Sequence, residues 1–285
     1  MKDNIRYRKI KNKMFHIFIL AITCLAILVL FVLVWDMLSK GLKTLDWQFL
    51  TSYPSMFAKK AGILPALVGS IYIILLTILF AVPVGLATAV YLEEYAKDNG
   101  FTGFIKINIS NLSGTPSIVF GLLGLAIFVK FFGLGRSVIA GALTMALVVL
   151  PTVIVSSQEA LKAVPQYLRH GSFAMGATKW QTIRKIVIPS ALPGVLTGVI
   201  LAISRALGES APLLIVGAFS YVAFLPKDIF DSFMTLPIQI YLWIGQPKAE
   251  FREIASTGII VLLILLLGIN SIAIFLRNKY QKNID

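Results

Sequence analysis

Two charged side chains lie inside one of the most apolar stretches of the chain. Arg205 and Glu209 stand four residues apart in the run AISRALGESAP (202–212), and the segment 188–217 carries no other charge. A guanidinium is always ionised and presents a planar fork of donors that fits carboxylates and oxyanions. Charged groups within such apolar, membrane-like segments usually face the interior of a helix bundle or a water-filled path. The pair therefore indicates either a path for an anion or a structural ion pair. We favour the path, because a purely structural role does not require charge: apolar residues would insert into the membrane better and pack as well.

The composition indicates that lipid is the solvent for much of the chain. Apolar residues make up 58% of the 285 residues and charged residues 14%, against about 45–50% and about 25% in soluble domains. The one cysteine, Cys24, excludes an internal disulfide. The apolar run 15–35 is long for a signal peptide and no small-residue cleavage site follows it, so we interpret it as a retained first span.

Stretches of about 20 apolar residues, the length that crosses a bilayer, predict an all-α polytopic membrane protein with six transmembrane helices. The predicted spans are 15–37, 63–91, 111–130, 137–157, 190–219 and 254–276. Arg205 would lie about 22 Å into the fifth span, near the bilayer midplane. At a spacing of four residues, Glu209 would share its helix face and pair with it. Ser204 is a further candidate on the path.

Lysines and arginines predict the orientation of the spans. The segments 1–14, 92–110, 158–189 and 277–285 hold sixteen of the 26 basic residues. The segments 36–62, 130–136 and 220–253 hold nine. Because basic loops stay inside, we expect both termini, including the basic N-terminus 1–14 and the tail 277–285, in the cytoplasm. The net charge of +13 then reflects topology and attraction to anionic lipid, not nucleic-acid binding.

The inner loop 158–189 carries a pattern that a linker would lack. Residues 165–175 favour a helix, Gly176 and Ala177 favour a tight turn, and Thr178 can cap a second helix. In that second helix Trp180, Ile183 and Val187 recur at helical spacing, and Pro189 marks the passage into the fifth span. Such a hairpin is typical of a docking element, or of an interfacial hairpin resting on lipid headgroups.

Three long motifs carry a resemblance to a known family. The run Gly176, nine residues, Ile186, one residue and Ile188-Pro189 resembles the "EAA…G…I.LP" loop of ABC importer permeases, with His170, Gly171 and Ser172 at the Glu-Ala-Ala positions. The runs VPQYLRHGSFAMGATKW (164–180), NLSGTPSIVFGLLGLAIFV (111–129) and SRALGESAPLLIVGA (204–218) closely resemble the phosphate importer permease of the PstA type.

The resemblance implies a type I ABC importer permease fold over 63–276, in the cytoplasmic membrane of a bacterium. It implies that the loop fits a cleft on an ATPase subunit through Arg169, His170, Gly171, Ser172, Met175, Gly176, Ala177, Trp180, Ile186 and Pro189. It also implies a second permease subunit of the PstC type, two copies of an ATPase of the PstB type and an external phosphate-binding protein of the PstS type. Arg205 and Glu209 would matter for translocation. The outer loop 220–253, with Pro226, Pro237 and Trp243, would help form the outer gate and the docking surface.

Missing motifs exclude several classes of function. No G-x-x-x-x-G-K-[ST] loop occurs, so we expect ATP and Mg²⁺ to be bound by the partner ATPase and no cofactor by this chain. His16 and His170 lie far apart without acidic or cysteine neighbours, which predicts no metal site, and no catalytic set is apparent, which predicts that the chain is not an enzyme. The alternatives are a permease for molybdate, tungstate or sulfate, a gradient-driven transporter or channel, and a structural or sensory membrane protein.

Overall fold

Helices account for most of the chain that the structure, a computed structural model, describes, namely residues 2–217 and 222–281. Within these residues no strand forms. The helices are α1 (Lys2–Gly41), α2 (Trp47–Thr51), α3 (Leu64–Val90), α4 (Gly100–Ser113), α5 (Ser117–Gly124), α6 (Val138–Lys162), α7 (Gln166–Ala174), α8 (Lys179–Thr182), α9 (Ile188–Gly208), α10 (Ala211–Val216), α11 (Leu236–Ile244) and α12 (Ala249–Gln281). Residues 1, 218–221 and 282–285, which include the ends of the predicted fifth span and tail and the start of the outer loop, lie outside the described residues.

Three π-helical segments extend these helices without a break. Tyr91–Tyr95 continues α3, Leu125–Phe131 continues α5, and Ile183–Val187 joins α8 to α9. In the described chain, five helices are long and apolar enough to cross a membrane, namely Tyr7–Gly41, Leu64–Tyr95, Val138–Lys162, Lys179–Gly208 and Ala249–Tyr280. A sixth span exists if Gly100–Ser113 and Ser117–Phe131, which meet at a bend of 102°, count as one.

The bend corrects the predicted third span, 111–130. Residues 111–113 belong to α4, and the apolar helix begins only at Ser117. Pro116 has no N–H and disfavours a helical conformation in the residue before it, so the helix stops at Gly114 and restarts after the proline. Ser113 is the last residue of α4, and Thr115 lies in the break. Their hydroxyls donate to the backbone oxygens of Ser110 (2.6 Å) and Asn111 (3.3 Å).

The predicted fifth span, 190–219, does not match a single helix of the structure. The helix starts at Lys179 and runs through Pro189 without a boundary, because the π segment shifts the hydrogen bonds. The Ile188 N–H donates to the Ile183 oxygen, so the missing N–H of Pro189 is accommodated. At the other end the helix stops at Gly208. Pro212 cannot donate to the Gly208 oxygen and its ring would clash there, so a new helix, α10, follows.

The core consists of α3, α6 and α9, which approach closely through small residues. Gly194 and Gly198 of α9 lie against Ala160 and Ser156 of α6. Gly85 of α3 meets Val153 of α6 in the same way. Small side chains let backbones come near enough for extensive van der Waals contact, which drives helix association in lipid.

Part of the segment predicted as an outer loop packs into the protein. Phe233, Met234, Leu236 and Ile238 are at most 1% exposed. Trp243 is 3% exposed and its ring lies 5.7 Å from that of Phe49. Trp243, named in the predicted outer loop, is therefore a core side chain, since an apolar ring of this size is most stable away from water.

The first helix is the least covered element. Its predicted bounds, 15–37, lie inside a longer helix, and no residue in the most apolar part of Tyr7–Gly41 is buried in this single chain. Contact with α12 comes at its C-terminal end, where the Thr257 hydroxyl donates to the Gly41 oxygen (2.9 Å) and pairs with the Thr44 hydroxyl. The rest of this apolar helix requires lipid or another chain around it.

Gly69 tests how closely α3 packs. A Cβ at Gly69 would lie 2.1 Å from the Met234 oxygen, whereas one at Gly268 of α12 would meet nothing within 4 Å. We expect Gly69→Ala to lower the melting temperature of the detergent-solubilised protein, because overpacking costs about 1–3 kcal/mol. Gly268→Ala is the control and should leave the melting temperature unchanged or slightly raised. Equal melting temperatures for the two variants would contradict the packing described here.

Candidate functional site

The predicted pair Arg205 and Glu209 lies where the fifth spanning helix breaks. Arg205 is in the last turn of α9, and Glu209 is the first residue beyond it, with extended backbone (φ −79°, ψ 125°). Arg205 Nε and Glu209 Oε1 are 3.6 Å apart. The two charges therefore pair, but the prediction that they share one helix face is wrong, because Glu209 has left the helix.

The guanidinium has two sources of negative potential beside it. One is the Glu209 carboxylate, and the other is the C-terminus of α9, whose last carbonyls are the negative end of the helix dipole. The Arg205 side chain nevertheless remains 40% exposed, while that of Glu209 is 21% exposed. Arg205 is thus held in place and partly neutralised, with one side still open to a ligand or another chain.

Glu209 also borders a pocket that the sequence did not predict. Ser70 of α3 and Thr235, which precedes α11, line this pocket with Glu209 and apolar residues of α9 and α10. The Ser70 hydroxyl accepts from the Leu236 N–H (2.8 Å). The Thr235 hydroxyl is buried and finds no hydrogen-bond partner in the described part of the chain. A polar residue in the apolar run 64–90 was the only signal that could have pointed to Ser70.

Ser204, predicted as a further member of the path, is not brought to this pair. Its hydroxyl lies within hydrogen-bond distance of the Ile200 oxygen (2.8 Å) and of Asn270 Oδ1 (2.9 Å). Asn270 belongs to α12, so Ser204 ties two spanning helices together. The contact satisfies polar groups in an apolar region, as is common between membrane helices.

The predicted hairpin in 158–189 forms, with one change. α7 and α8 are joined at Gly176, whose φ of +80° is a conformation that glycine adopts at little cost. Thr178 caps α8 in a capping box with Gln181. The second arm is not a separate short helix, because α8 runs on into α9. We call residues 166–182 the loop hairpin.

The loop hairpin turns large apolar side chains outward. Exposed fractions are 71% for Tyr167, 46% for Phe173, 88% for Met175 and 55% for Trp180. Trp180 therefore does not join Ile183 and Val187, which are buried. An apolar patch at the tip of a polar hairpin is typical of a docking surface.

The other predicted residues of the loop differ in how exposed they are. His170 and Gly171 are exposed, whereas Ala177, Ile186 and Pro189 are half-buried. Ser172 is buried and its hydroxyl lies 2.9 Å from that of Thr182, which ties the two arms together. Arg169 points inward, toward the end of α3.

The comparisons with known proteins identify the class. The model of the family "Binding-protein-dependent transport system inner membrane component" matches residues 81–285. The chain belongs to this family, whose members are membrane subunits of importers.

Individual relatives are similar along most of their length. The chain is 35% identical over 258 residues to "Probable ABC transporter permease protein YqgI" of Bacillus subtilis, covering 86% of this chain and 87% of that protein. It is 35% identical over 274 residues to "Phosphate transport system permease protein PstA" of Mycobacterium leprae, covering 92% and 87%. The inward-facing MetNI methionine ABC transporter aligns with a TM-score of 0.59 at 17% identity, covering 74% of this chain and 93% of that chain, which shows a shared fold.

Gly176 tests the hairpin turn. We expect Gly176→Ala to loosen it, because a Cβ at positive φ costs about 1–2 kcal/mol. Amide hydrogen exchange of residues 172–182, followed by mass spectrometry, should then become about 5- to 30-fold faster. Gly171→Ala lies in helical α7 and its Cβ would meet nothing within 4 Å, so it should not speed exchange. Unchanged exchange in Gly176→Ala would contradict the requirement for a positive φ at this turn.

Proposed function

We propose that this chain is one of two membrane subunits of an ATP-driven importer of inorganic phosphate. It forms half of the translocation path and is not itself an enzyme. The Arg205–Glu209 pair at the helix break is the observation that carries the proposal, and the names of the PstA relatives support the choice of cargo. A conserved scaffold alone would not indicate the cargo, because one fold serves many substrates.

The chemistry of the pair suits an anion that must bind and leave. A lone guanidinium in a low-dielectric pathway would bind phosphate strongly, since charge-assisted bidentate contacts are among the strongest hydrogen bonds. Transport requires a site that the ion can leave. Glu209 and the C-terminus of α9 offset part of the arginine charge and so weaken this contact. Arg205 is then the transient contact and Glu209 moderates it.

The loop hairpin connects this site to an energy source. Its exposed apolar tip, at Phe173, Met175 and Trp180, docks on a cytoplasmic ATPase that binds ATP and Mg²⁺. The helix from Lys179 to Gly208 then leads without a break from the hairpin to Arg205, about 39 Å away along the axis. Movement caused by closure of the ATPase dimer can thus be transmitted to the ion pair through this one continuous helix.

The remaining parts of the assembly follow from the class. A second, related permease completes the path, and a phosphate-binding protein delivers the ion from outside. The chain lies in the cytoplasmic membrane of a bacterium with both termini inside, as the distribution of basic residues favours. The uncovered apolar surface of α1 supports contact with lipid or the second permease.

Uptake of labelled phosphate tests the proposal. In vesicles that hold the complete complex, we expect ATP-dependent uptake that Arg205→Gln lowers by about tenfold or more, the effect of losing about 1.4 kcal/mol of stabilisation. Arg8→Gln, at an exposed position near the start of α1, is the control and should leave uptake unchanged. Equal uptake with Arg205→Gln at equal assembly would make the pair structural. Uptake of molybdate or sulfate in place of phosphate would refute the proposed cargo.

Glu209→Gln tests the moderating role separately. Without the carboxylate, Arg205 should hold the anion more tightly and release it more slowly. We expect a turnover about tenfold lower at saturating phosphate, corresponding to about 1.4 kcal/mol of extra binding. Initial rates of uptake across a range of phosphate concentrations give both the half-saturating concentration and the turnover. Unchanged half-saturation and turnover would remove Glu209 from the mechanism.

A further inference from the structure

The π-helical segment Tyr91–Tyr95 brings three consecutive side chains to three different neighbours. It follows α3, and Glu93, Glu94 and Tyr95 are its polar and aromatic members. π-Helical turns inside longer helices are frequently found at functional sites. None of these three residues was predicted as functional from the sequence.

Glu94 binds Arg169 of the loop hairpin. Glu94 Oε1 accepts from Arg169 Nη2 at 2.9 Å and from Nε at 3.3 Å, and both side chains are only 11% exposed. Arg169 also donates to the oxygens of Leu161 (2.9 Å) and Val164 (2.6 Å). These carbonyls lie at the end of α6, where backbone acceptors lack helical partners. One guanidinium therefore joins α3, α6 and α7.

Glu93 and Tyr95 extend the connection. Glu93 Oε1 accepts from Gln158 Nε2 of α6 (2.8 Å) and lies 3.2 Å from Lys106 Nζ of α4. Lys179, the first residue of α8, places its ammonium 5.0 Å from the centre of the Tyr95 ring. A cation over an aromatic face is attracted to it. The same short segment thus contacts both arms of the loop hairpin.

The two arms lead to the same distant place by different helices. The second arm continues through α9 to Arg205. The first arm is attached by Arg169 to α3, and α3 contributes Ser70 to the pocket that Glu209 borders. Glu94 and Ser70 are 24 positions apart, or about 36 Å along a helix axis. Two helices, α3 and α9, therefore connect the loop hairpin to the surroundings of the ion pair.

We propose that Arg169 is a positioning residue which, through Glu94, makes the loop hairpin and α3 move as one body. This rests on the proposed function, because it assigns to Arg169 the passage of ATPase closure to the Glu209 side of the path. Arg169 does not meet the ATPase itself, since its side chain points away from the exposed tip. Without the contact to Glu94, motion of the hairpin reaches Arg205 through α9 but no longer moves α3 with it.

A solely structural ion pair would behave differently. Removing one partner would lower stability and assembly without changing how much phosphate is imported for each ATP hydrolysed. Replacing both partners of such a pair often costs no stability at all. A positioning contact changes that ratio in complexes that still assemble. The ratio of phosphate imported to ATP hydrolysed is therefore the measurement that separates the two roles.

The experiment compares Glu94→Ala, Arg169→Ala and the double variant in vesicles holding the full complex with its binding protein. We expect ATPase subunits to remain bound, ATP hydrolysis to persist and the transport ratio to fall about tenfold in each single variant, within the usual range of coupling between sites. The double variant should be no worse than the poorer single variant, because both remove one contact. Arg169→Lys keeps the charge but loses the fork of donors and should be intermediate.

Glu159→Gln is the matched control. Glu159 pairs with Lys162 at 2.9 Å on the same end of α6, but the two side chains are 68% and 49% exposed, so the ratio should not change. An unchanged ratio in assembled Glu94→Ala and Arg169→Ala complexes would overturn the proposal, as would additive losses in the double variant. Absence of phosphate uptake by the wild-type complex would instead refute the proposed function.

Discussion

A helix in lipid can be interrupted only where its freed backbone groups are surrounded by protein or line a cavity. Leu207 and Glu209, on either side of Gly208, line a pocket together with α3, α10 and the segment before α11, so the break borders such a cavity. The break is what frees Glu209 from the helix and leaves Arg205 at a C-terminus. The candidate ion site, its partial neutralisation and its adjacent hydroxyls all depend on that one interruption.

Small residues give the site a rigid frame. Gly85, Gly194 and Gly198 let α3 and α9 lie against α6 at distances that a Cβ would prevent. Helices packed this closely slide or bend little, so movement at one end is carried to the other. The loop hairpin is attached to both outer members of this trio, to α9 by the chain itself and to α3 by Arg169. The same packing that builds the core in lipid thus lets these helices transmit movement from the loop hairpin to the candidate site.

Local signals in the sequence were sufficient for the hairpin and for most spans. The turn at Gly176 and the cap at Thr178 depend on the intrinsic conformations of glycine and threonine, so they appear as predicted. The spans 63–91 and 137–157 fall within a few residues of helices, because burial in lipid requires uninterrupted apolar runs. The breaks near Pro116 and Pro212 were missed, because average hydrophobicity does not register which backbone groups lose a partner.

By itself, the sequence determined that the chain is an all-α membrane protein with a patterned hairpin and a costly charge pair, since these follow from composition, spacing and intrinsic propensity. Only the tertiary structure decided that Trp243 is buried, that Ser204 faces α12, and that Glu94 meets Arg169. Glu94 and Arg169 are 75 positions apart. Their contact depends on how α3, α6 and α7 pack in three dimensions, which no pattern local to either residue encodes.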